Sequence, residues 1–405
     1  MVTNRKAGDG QIRFTVTEVM SSLGDDGIQP KITLSILADQ LGAKAGGGRF
    51  TTGFLQALVA HPETWEHLER LFIVATQNES TQCLGVLPPS VSIVRRRFPS
   101  RLRSTWLTLL FSKTLPASTV AHGPFFYVFP GQAKRRMITF HDASFLDDRF
   151  HPSKKNRAFV RMFTKIVLPS CHALVCISDT VMADLKRSFP HLPYECVRIY
   201  QGVSKVGEEQ RYSSAVADDH CTERPFILTV GTIEPRKNYD RILDAYEFLL
   251  GEQGDSAPDL VIVGREGWMC EATIGRIKAL ELSGRVHWMN DATDRQLAWY
   301  YGHAALFTYL SLYEGFGYPP FEAAFAQVPM VLSNCSAVGE IWSNYATCVD
   351  PSNVREIVAA WKWGLNLQDG ERQWIVERQK RRGAEFTWER CVTEYLQLYD
   401  TLAQV

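Results

Sequence analysis

Short apolar runs alternate with amphipathic stretches along the second half of the chain, from Pro225 onward. The predicted strands are PFILTVGT, PDLVIVGR, VHWMND, ALFTYLS and PMVLSN, and the predicted helices include NYDRILDAYEFLLG, TDRQLAWYYGHA and PPFEAAFAQ. The strand candidates are apolar on both faces, which is typical of parallel strands covered by helices on both sides. We therefore predict an α/β domain with a doubly wound, Rossmann-like parallel sheet.

The first half of the chain shows the same alternation less clearly. Its strand candidates are ITLSILAD, RLFIVAT, RMITFHD and ALVCIS. Helix starts are indicated by the N-cap residue types Ser178 and Asn238, and by Thr293 with Gln296 at the spacing of a capping box. The first half is accordingly predicted to be a second α/β domain.

The length of 405 residues exceeds what one hydrophobic core usually supports, so two domains are expected. Residues 204–224 are polar and charged, and they contain few large apolar side chains, as in an exposed linker. The predicted organisation is an extension at 1–30, a first domain at 31–203, this linker, a second domain at 225–384 and a final helix at 385–405.

Composition excludes some classes of function. The 44 basic and 44 acidic residues balance, so no global charge favours nucleic acid. Nine cysteines are scattered without a CxxC motif, which is typical of reduced thiols in the cytosol. There is no apolar signal core and no run approaching the ~18 apolar residues of a membrane span. We expect a cytoplasmic protein that is soluble or bound to a membrane surface.

The stretch YEGFGYPPFE places a carboxylate on each side of a Gly-Phe-Gly loop. Glu314 follows the predicted strand ALFTYLS, and open α/β sheets bind ligands at the carboxyl ends of their strands. Prolines suit the first turn of a helix, so Glu322 should lie near a helix N-terminus. Both carboxylates could then serve one polyhydroxylated ligand. The alternative for Glu322 is simple complementarity to the helix dipole.

A second motif, VGTIEPRKN, carries Arg236 and Lys237 between a buried strand and a helix start. Two cations beside a helix N-terminus form an anion site, most naturally for phosphate. The alternative is a solvated basic loop, and the position directly after a strand favours the anion site.

Weaker signals lie in the first domain. Three consecutive glycines, Gly46 to Gly48, separate a strand candidate from a helix candidate, but they match neither GxGxxG nor a Walker loop, and a flexible turn is an equal alternative. His141 stands at a strand end, where a functional role competes with a structural one. The segment from Val94 to Phe111 joins five arginines to Trp106 and several leucines, which suits either an anionic membrane surface or an ordinary helix with a basic face.

In sequence order, these motifs resemble glycosyltransferase family four, the retaining transferases of GT-B fold that use nucleotide sugars. The matching stretches are AGGGRFTTGFLQAL, FHDASF, ALVCISDTVMADLKR, VGTIEPRKN, YEGFGYPPFEAA and SAVGEIW. The TIEPRKN form is most similar to the mannosyl-type transferases that build bacterial surface polysaccharides. The resemblance implies two Rossmann-like domains facing a central cleft, with residues 385–405 crossing back to the first domain.

The resemblance also implies roles for the residues of the second domain. Glu314 would hold hydroxyls of the donor sugar together with the loop amides, and Glu322 would hold the ribose diol. Lys237, with Arg236, would neutralise the diphosphate, although Arg236 could instead make a structural ion pair. The loop amides belong to Gly315, Phe316 and Gly317, and the residues expected to line the nucleotide pocket are Gly264 and Arg265.

In the first domain, the resemblance implies that Gly47 and Gly48 face the diphosphate and that His141 positions the reacting groups. The implied chemistry is transfer with retained anomeric configuration by front-face attack, without a metal or another cofactor. GDP-mannose is the favoured donor, and a saccharide or lipid-linked saccharide is the expected acceptor, with no nucleic-acid partner. The alternatives are another nucleotide sugar as donor, or a non-catalytic scaffold that binds nucleotide sugars.

Overall fold

The computed structural model describes residues 31–38, 41–42, 46–76, 81–96, 116–125, 132–147, 149–150, 165, 168–192, 196–204 and 222–404. The chain divides into two compact units. Unit 1 contains 1–146, 151–202 and 386–405, and unit 2 contains 147–150 and 203–385. The predicted extension at 1–30 and most of the predicted linker lie outside the described residues.

The described strands of unit 1 form a seven-stranded parallel sheet in the order β3-β2-β1-β4-β5-β6-β7. Its strands are β1 (Ile32–Leu37), β2 (Leu68–Thr76), β3 (Val91–Arg96), β4 (Ser118–Gly123), β5 (Ala133–Phe140), β6 (Ala173–Cys176) and β7 (Cys196–Arg198). Its helices are α1 (Gly46–Ala60), α2 (Thr64–His67), α3 (Asp179–Ser188) and, from the C-terminal end of the chain, α11 (Trp388–Gln404).

The sheet of unit 2 has six parallel strands in the order β10-β9-β8-β11-β12-β13. They are β8 (Phe226–Val230), β9 (Asp259–Val263), β10 (Val286–Met289), β11 (Leu306–Tyr309), β12 (Met330–Ser333) and β13 (Thr347–Val349). The helices are α4 (Tyr239–Gln253), α5 (Glu271–Glu281), α6 (Asp294–His303), α7 (Tyr318–Phe325), α8 (Ser336–Trp342), α9 (Val354–Leu365) and α10 (Asp369–Ala384). This is the Rossmann strand order, and the order reverses between β8 and β11.

The predicted doubly wound architecture is confirmed for both sheets, and every strand predicted in the second half is present. In unit 1 the prediction omitted β3, β4 and β7. These strands carry polar residues within short runs (VSIVRR, STVAHG and CVR), so their hydrophobic signal is weak. The basic segment that we considered for a membrane surface begins as the end of β3, and its part from residue 97 onward lies outside the described residues.

Two of the three predicted helix caps are confirmed. The Ser178 hydroxyl accepts the amide of Val181, and Thr293 with Gln296 forms a complete capping box. Asn238 occupies the N-cap position of α4 but does not cap it, because its amide group donates instead to the carbonyl oxygens of Leu310 and Pro351. Asn238 thus joins the start of α4 to two other loops of unit 2.

Helix α11 completes the core of unit 1 by packing on α1 and β4. The buried His122 ring on β4 lies between Tyr399 of α11 at 2.7 Å and Thr139 of β5 at 2.8 Å. Burial, with a smaller contribution from nearby His141, lowers the pKa of His122 to about 3, so the ring is neutral near pH 7. Among the described residues, no helix is both long enough and apolar enough to cross a membrane.

Gly53 on α1 provides a stability test of this packing. A Cβ added there would lie 2.3 Å from Cζ2 of Trp388, whereas a Cβ on Gly251 of α4 would meet nothing within 4 Å. We predict that Gly53→Ala lowers the unfolding temperature of the protein, since overpacking costs about 1–3 kcal/mol.

Gly251→Ala is the matched control. It should raise the unfolding temperature slightly, because alanine is favoured over glycine in a helix by about 1 kcal/mol. Thermal unfolding followed by circular dichroism measures both, and equal shifts for the two variants would contradict the contact with Trp388.

Candidate active site in unit 2

The candidate site lies where the strand order of unit 2 reverses. Strands β8 and β11 are neighbours in the sheet, and each leads into a loop that carries charged residues. The loop after β8 contains Arg236 and Lys237 in a 3₁₀ turn, and the loop after β11 contains Glu314. Because parallel strands end at the same edge of a sheet, the two motifs come together at the position where open α/β sheets bind ligands.

The Glu314 carboxylate is the centre of this cluster. Its Oε1 lies 2.6 Å from the Lys237 Nζ, and its Oε2 lies 2.6 Å from Nη1 of Arg236. The Tyr309 hydroxyl, at the end of β11, donates to Oε1 at 2.8 Å and accepts from the Lys237 ammonium. The Glu314 side chain is 7% exposed and that of Lys237 is 10% exposed, so this is a buried ion cluster.

Burial and charge act in opposite directions on these groups. Burial by itself would raise the pKa of Glu314, but the adjacent Arg236 and Lys237 lower it to about 2. For Lys237, burial lowers the pKa, and Glu314 opposes that shift. Burial also raises the pKa of Tyr309 well above its ordinary value, so its hydroxyl stays protonated and remains a donor. Near neutral pH the cluster thus contains an ionised carboxylate.

Arg236 contacts a second carboxylate, that of Glu234 in the same loop. Its Nε lies 2.5 Å from Oε1 of Glu234, whose side chain is 2% exposed. Its Nη1 also donates to the carbonyl oxygen of Tyr313 at 3.2 Å, and its own carbonyl oxygen accepts the amide of Leu312 at 2.7 Å. Arg236 therefore fastens the loop after β8 to the loop after β11.

The Gly-Phe-Gly loop continues directly from Glu314 into α7. Gly317, with φ of 90°, is the N-cap of α7, and a Cβ there would lie 3.3 Å from Val338. The Phe316 ring is buried and stacks on Phe321 with centroids 4.8 Å apart, so the Phe316 side chain belongs to the core of the unit. The loop is further held by Ser336, whose hydroxyl accepts the amide of Glu314 at 3.1 Å.

Glu322 lies in the second turn of α7, which begins one residue before the two prolines. Its Oε2 accepts the Tyr301 hydroxyl of α6 at 2.8 Å, and the side chain is partly buried. The contacts described for Glu322 are separate from those of Glu314. The two carboxylates of the motif thus have different environments, one inside an ion cluster and one bonded to a neutral tyrosine.

Gly264 and Arg265 follow β9, on the other side of β8. A Cβ on Gly264 would lie 1.8 Å from the carbonyl oxygen of Gly231, so no larger residue fits against the loop after β8. The carbonyl oxygen of Arg265 accepts the amide of Ile233, while its exposed guanidinium lies 3.3 Å from Asp291. The structure thus places both residues beside the loop that carries Arg236 and Lys237.

The remaining candidates belong to unit 1. Gly47 and Gly48 lie in the first turn of α1, and the carbonyl oxygen of Gly47 accepts the Thr51 hydroxyl. His141 follows β5, and its Nε2 lies 2.7 Å from the carbonyl oxygen of Pro124, so Nε2 carries the proton and donates. Burial lowers the pKa of His141 to about 4, although the bond to Pro124 opposes the shift, and the ring is therefore neutral at pH 7.

Comparisons with known proteins match the part of the chain that contains the motifs of unit 2. A model of the family described as glycosyl transferases group 1 matches residues 217–382. The O-antigen chain mannosyltransferase B of Escherichia coli is 28% identical over 303 residues, which cover 70% of this chain and 74% of that protein. The O-antigen chain mannosyltransferase RfbU of Salmonella typhimurium strain LT2 is 23% identical over 232 residues, covering 56% and 60%.

The chain is a glycosyltransferase. The matched region contains every candidate site residue of unit 2, from Arg236 to Glu322. Solved structures agree on the fold: a sucrose-phosphate synthase from Thermosynechococcus elongatus superposes with a TM-score of 0.65 at 17% identity, over 91% of this chain and 98% of that one. The glycosyltransferase has the GT-B fold, as predicted.

Three residues of the glycosyltransferase that contact Arg236 or Glu314 were not among the predicted site residues: Glu234, Tyr309 and Ser336. Glu234 stands inside the EPRKN motif, so its carboxylate was visible but had no assigned role. Tyr309 lies within the apolar run of β11 and was indistinguishable from a core residue. Ser336 is 22 residues from Glu314 in sequence, and its positive φ of 56° has no signal in the sequence.

The cluster can hold a phosphate-bearing ligand beside hydroxyl groups. A buried ammonium and guanidinium offer strong, charge-assisted donors, and a buried carboxylate accepts hydroxyl hydrogens. Within the described residues, no group of three or more His, Cys, Asp or Glu side chains is arranged to hold a metal ion.

The pKa of Glu314 predicts a pH dependence of stability. Because its pKa in the folded protein, about 2, is below the ordinary value of 4.5, the ionised group stabilises the fold above pH 4.5. This contribution is lost as the pH falls from about 4.5 toward 2. We predict that Glu314→Gln lowers the unfolding temperature at pH 7 and that the difference from the wild type shrinks as the pH falls toward 4 and below.

Thermal unfolding between pH 7 and pH 3.5 measures this difference. Glu247→Gln is the control, since that carboxylate pairs with Arg276 at an exposed position where ion pairs contribute little. A difference between Glu314→Gln and wild type that stayed constant with pH would contradict the depressed pKa.

Proposed function

We propose that the glycosyltransferase transfers mannose from GDP-mannose to a saccharide or lipid-linked saccharide acceptor during synthesis of a surface polysaccharide. Two relatives named as O-antigen chain mannosyltransferases support the sugar and the type of product. The observation that carries the proposal is the buried Glu314–Lys237–Arg236 cluster, which lies where the strand order of unit 2 reverses. It combines cations for a diphosphate with a carboxylate for sugar hydroxyls.

In this proposal each part of the donor has its own partner. Lys237 stabilises the diphosphate, and the backbone amides of Gly315, Phe316 and Gly317 hold the sugar together with Glu314. Glu322 accepts the ribose hydroxyls, a role that suits its partly buried position in the second turn of α7. Gly264 and Arg265 line the nucleotide pocket. Gly47, Gly48 and His141 enter the proposal through the family resemblance and through their positions after strands of unit 1.

The proposed reaction is front-face transfer with retained anomeric configuration. The bond between the anomeric carbon and the diphosphate oxygen breaks as the acceptor oxygen bonds to that carbon on the same face. The acceptor proton passes to an oxygen of the leaving diphosphate, which becomes free GDP. Because charge develops on the leaving group, a preorganised cation is worth roughly 3 kcal/mol of barrier, or about a hundredfold in rate.

The proposal includes neither a metal nor another cofactor, because Lys237 supplies positive charge to the diphosphate, as a metal does at other diphosphate sites. Turnover abolished by EDTA and restored by a divalent cation would contradict this part. The proposed location is cytoplasmic, at or near the inner face of the membrane, where a lipid-linked acceptor would be reached. The basic segment that suggested a membrane contact is described only from Val94 to Arg96.

Two substitutions test the proposed roles. We predict that Lys237→Ala lowers kcat for GDP-mannose turnover about a hundredfold, because the charge on the leaving diphosphate loses its main partner. Glu322→Ala should mainly weaken the binding of GDP, since it removes the acceptor for the ribose hydroxyls. Coupled release of GDP measures turnover, and titration calorimetry measures binding.

Lys278→Ala, on the exposed face of α5, is the control for loss of a lysine and should leave both quantities unchanged. Wild-type turnover by Lys237→Ala together with unchanged GDP binding by Glu322→Ala would reject the proposed site. Binding of UDP or dTDP in place of GDP would keep the site and change the donor, whereas binding without turnover of any donor would indicate a scaffold.

A further inference from the structure

Glu234 is unexpected in a site proposed for a diphosphate. Its side chain is 2% exposed, and a buried carboxylate near bound phosphate oxygens adds repulsion and a cost of desolvation. With Glu314 it supplies two negative charges, which offset the two positive charges of Arg236 and Lys237. A second carboxylate in such a place needs a function of its own.

The geometry around Arg236 shows what Glu234 contacts. The Arg236 guanidinium lies between two carboxylates, with Nε 2.5 Å from Glu234 and Nη1 2.6 Å from Glu314. Nη1 also donates to the carbonyl oxygen of Tyr313, one residue before Glu314. The rigid, planar guanidinium thus has Glu234 on its Nε and both the side chain of Glu314 and the backbone before it on Nη1.

Lys237 differs from Arg236 in ways that matter for exchange with a ligand. The Lys237 Nζ contacts Oε1 of Glu314 and the hydroxyl of Tyr309. The close contact described for Glu234 is with Arg236. An ammonium on a flexible stem can turn from one acceptor to another, whereas a guanidinium held in two directions by carboxylates cannot do so without breaking both contacts. Lys237 is therefore the cation better suited to transfer its contact to a phosphate.

We propose that Glu234 and Arg236 form a positioning pair. Glu234 fixes the Arg236 guanidinium from its Nε side, and Arg236 in turn holds the Glu314 carboxylate and the backbone at Tyr313 against the donor sugar. Lys237 alone contacts the diphosphate. This inference rests on the proposed function, and it assigns Arg236 to the structural ion pair that the sequence left open as an alternative to direct phosphate binding.

The proposal separates two measurable quantities. GDP carries the diphosphate but no sugar, so a residue that only positions Glu314 should not affect its binding. Transfer requires the sugar to be held correctly in the transition state, so the same residue should affect kcat. A residue that binds the diphosphate directly should change the affinity for GDP as well as kcat.

The test is a double-mutant cycle with Glu234→Gln, Arg236→Lys and the double variant, using GDP-mannose for turnover and GDP for calorimetry. Each single variant should lower kcat at least about tenfold, because the buried ion pair between Arg236 and Glu234 is lost or weakened. The double variant should be no slower than the slower single variant, because both act through one contact. GDP affinity should stay at the wild-type value in all three and fall in Lys237→Ala.

The control is the same cycle at an exposed pair of the same unit, Glu247→Gln and Arg276→Lys, which should leave kcat unchanged. Glu234→Asp retains the charge and should recover part of the rate. If Glu234→Gln does not fold, the positioning role is tested by the kcat and the GDP affinity of Arg236→Lys and Glu234→Asp. Weaker GDP binding by Arg236→Lys with an unchanged kcat, or losses that multiply in the double variant, would overturn the positioning role.

Failure of the proposed function gives a different result. If the wild-type protein neither binds GDP nor turns over GDP-mannose, the donor assignment is wrong, and the cycle is repeated with UDP and UDP-glucose. If the wild-type protein is active and Glu234→Gln is folded with a wild-type kcat, the positioning pair is wrong while the proposed function stands.

Discussion

The structure of the candidate site depends on one requirement, that the Glu314 carboxylate, buried at the end of a strand, be neutralised. A single buried charge is strongly unfavourable, and removal of one partner from a buried pair costs several kcal/mol. Glu314 satisfies this requirement with two cations that lie 77 and 78 residues earlier in the chain. The cluster can form only if the loops after β8 and β11 lie side by side, so it couples the site to the topology of the sheet.

The sheet of unit 2 supplies that arrangement through its strand order. β8 is followed by β9 on one side, and the chain crosses to place β11 on the other side. The loop after β9 is then held against the loop after β8, where Gly264 permits an approach that any side chain would block. Asn238, which gives up its capping role, ties the start of α4 to the loops at Leu310 and Pro351. Several backbone contacts thus fix the loop that presents Arg236 and Lys237.

Much of this fold was predictable from the sequence because the buried parallel strands of unit 2 are short, continuous apolar runs between clear helices. β3, β4 and β7 of unit 1 were not predicted, since each is short and carries polar residues. For the candidate site, the sequence identified the charged residues through their positions at strand ends. It could not show that Arg236 contacts Glu234 as well as Glu314, because that depends on the direction in which one side chain turns. It also could not distinguish Tyr309 from a core residue, because the contact with Lys237 joins β11 to the loop after β8 across 72 residues.

The central claim is that the charged cluster of unit 2 belongs to a nucleotide-sugar site. The most direct measurement is thermal unfolding of the wild-type protein with GDP-, UDP-, dTDP- and ADP-sugars in parallel. A ligand at a hundred times its dissociation constant stabilises the fold by about 2.7 kcal/mol, which gives a measurable shift. The account predicts a shift with one nucleotide family, GDP-mannose first among them, and its loss in Glu322→Ala. The absence of a shift with every donor, or an equal shift in the variant, would contradict it.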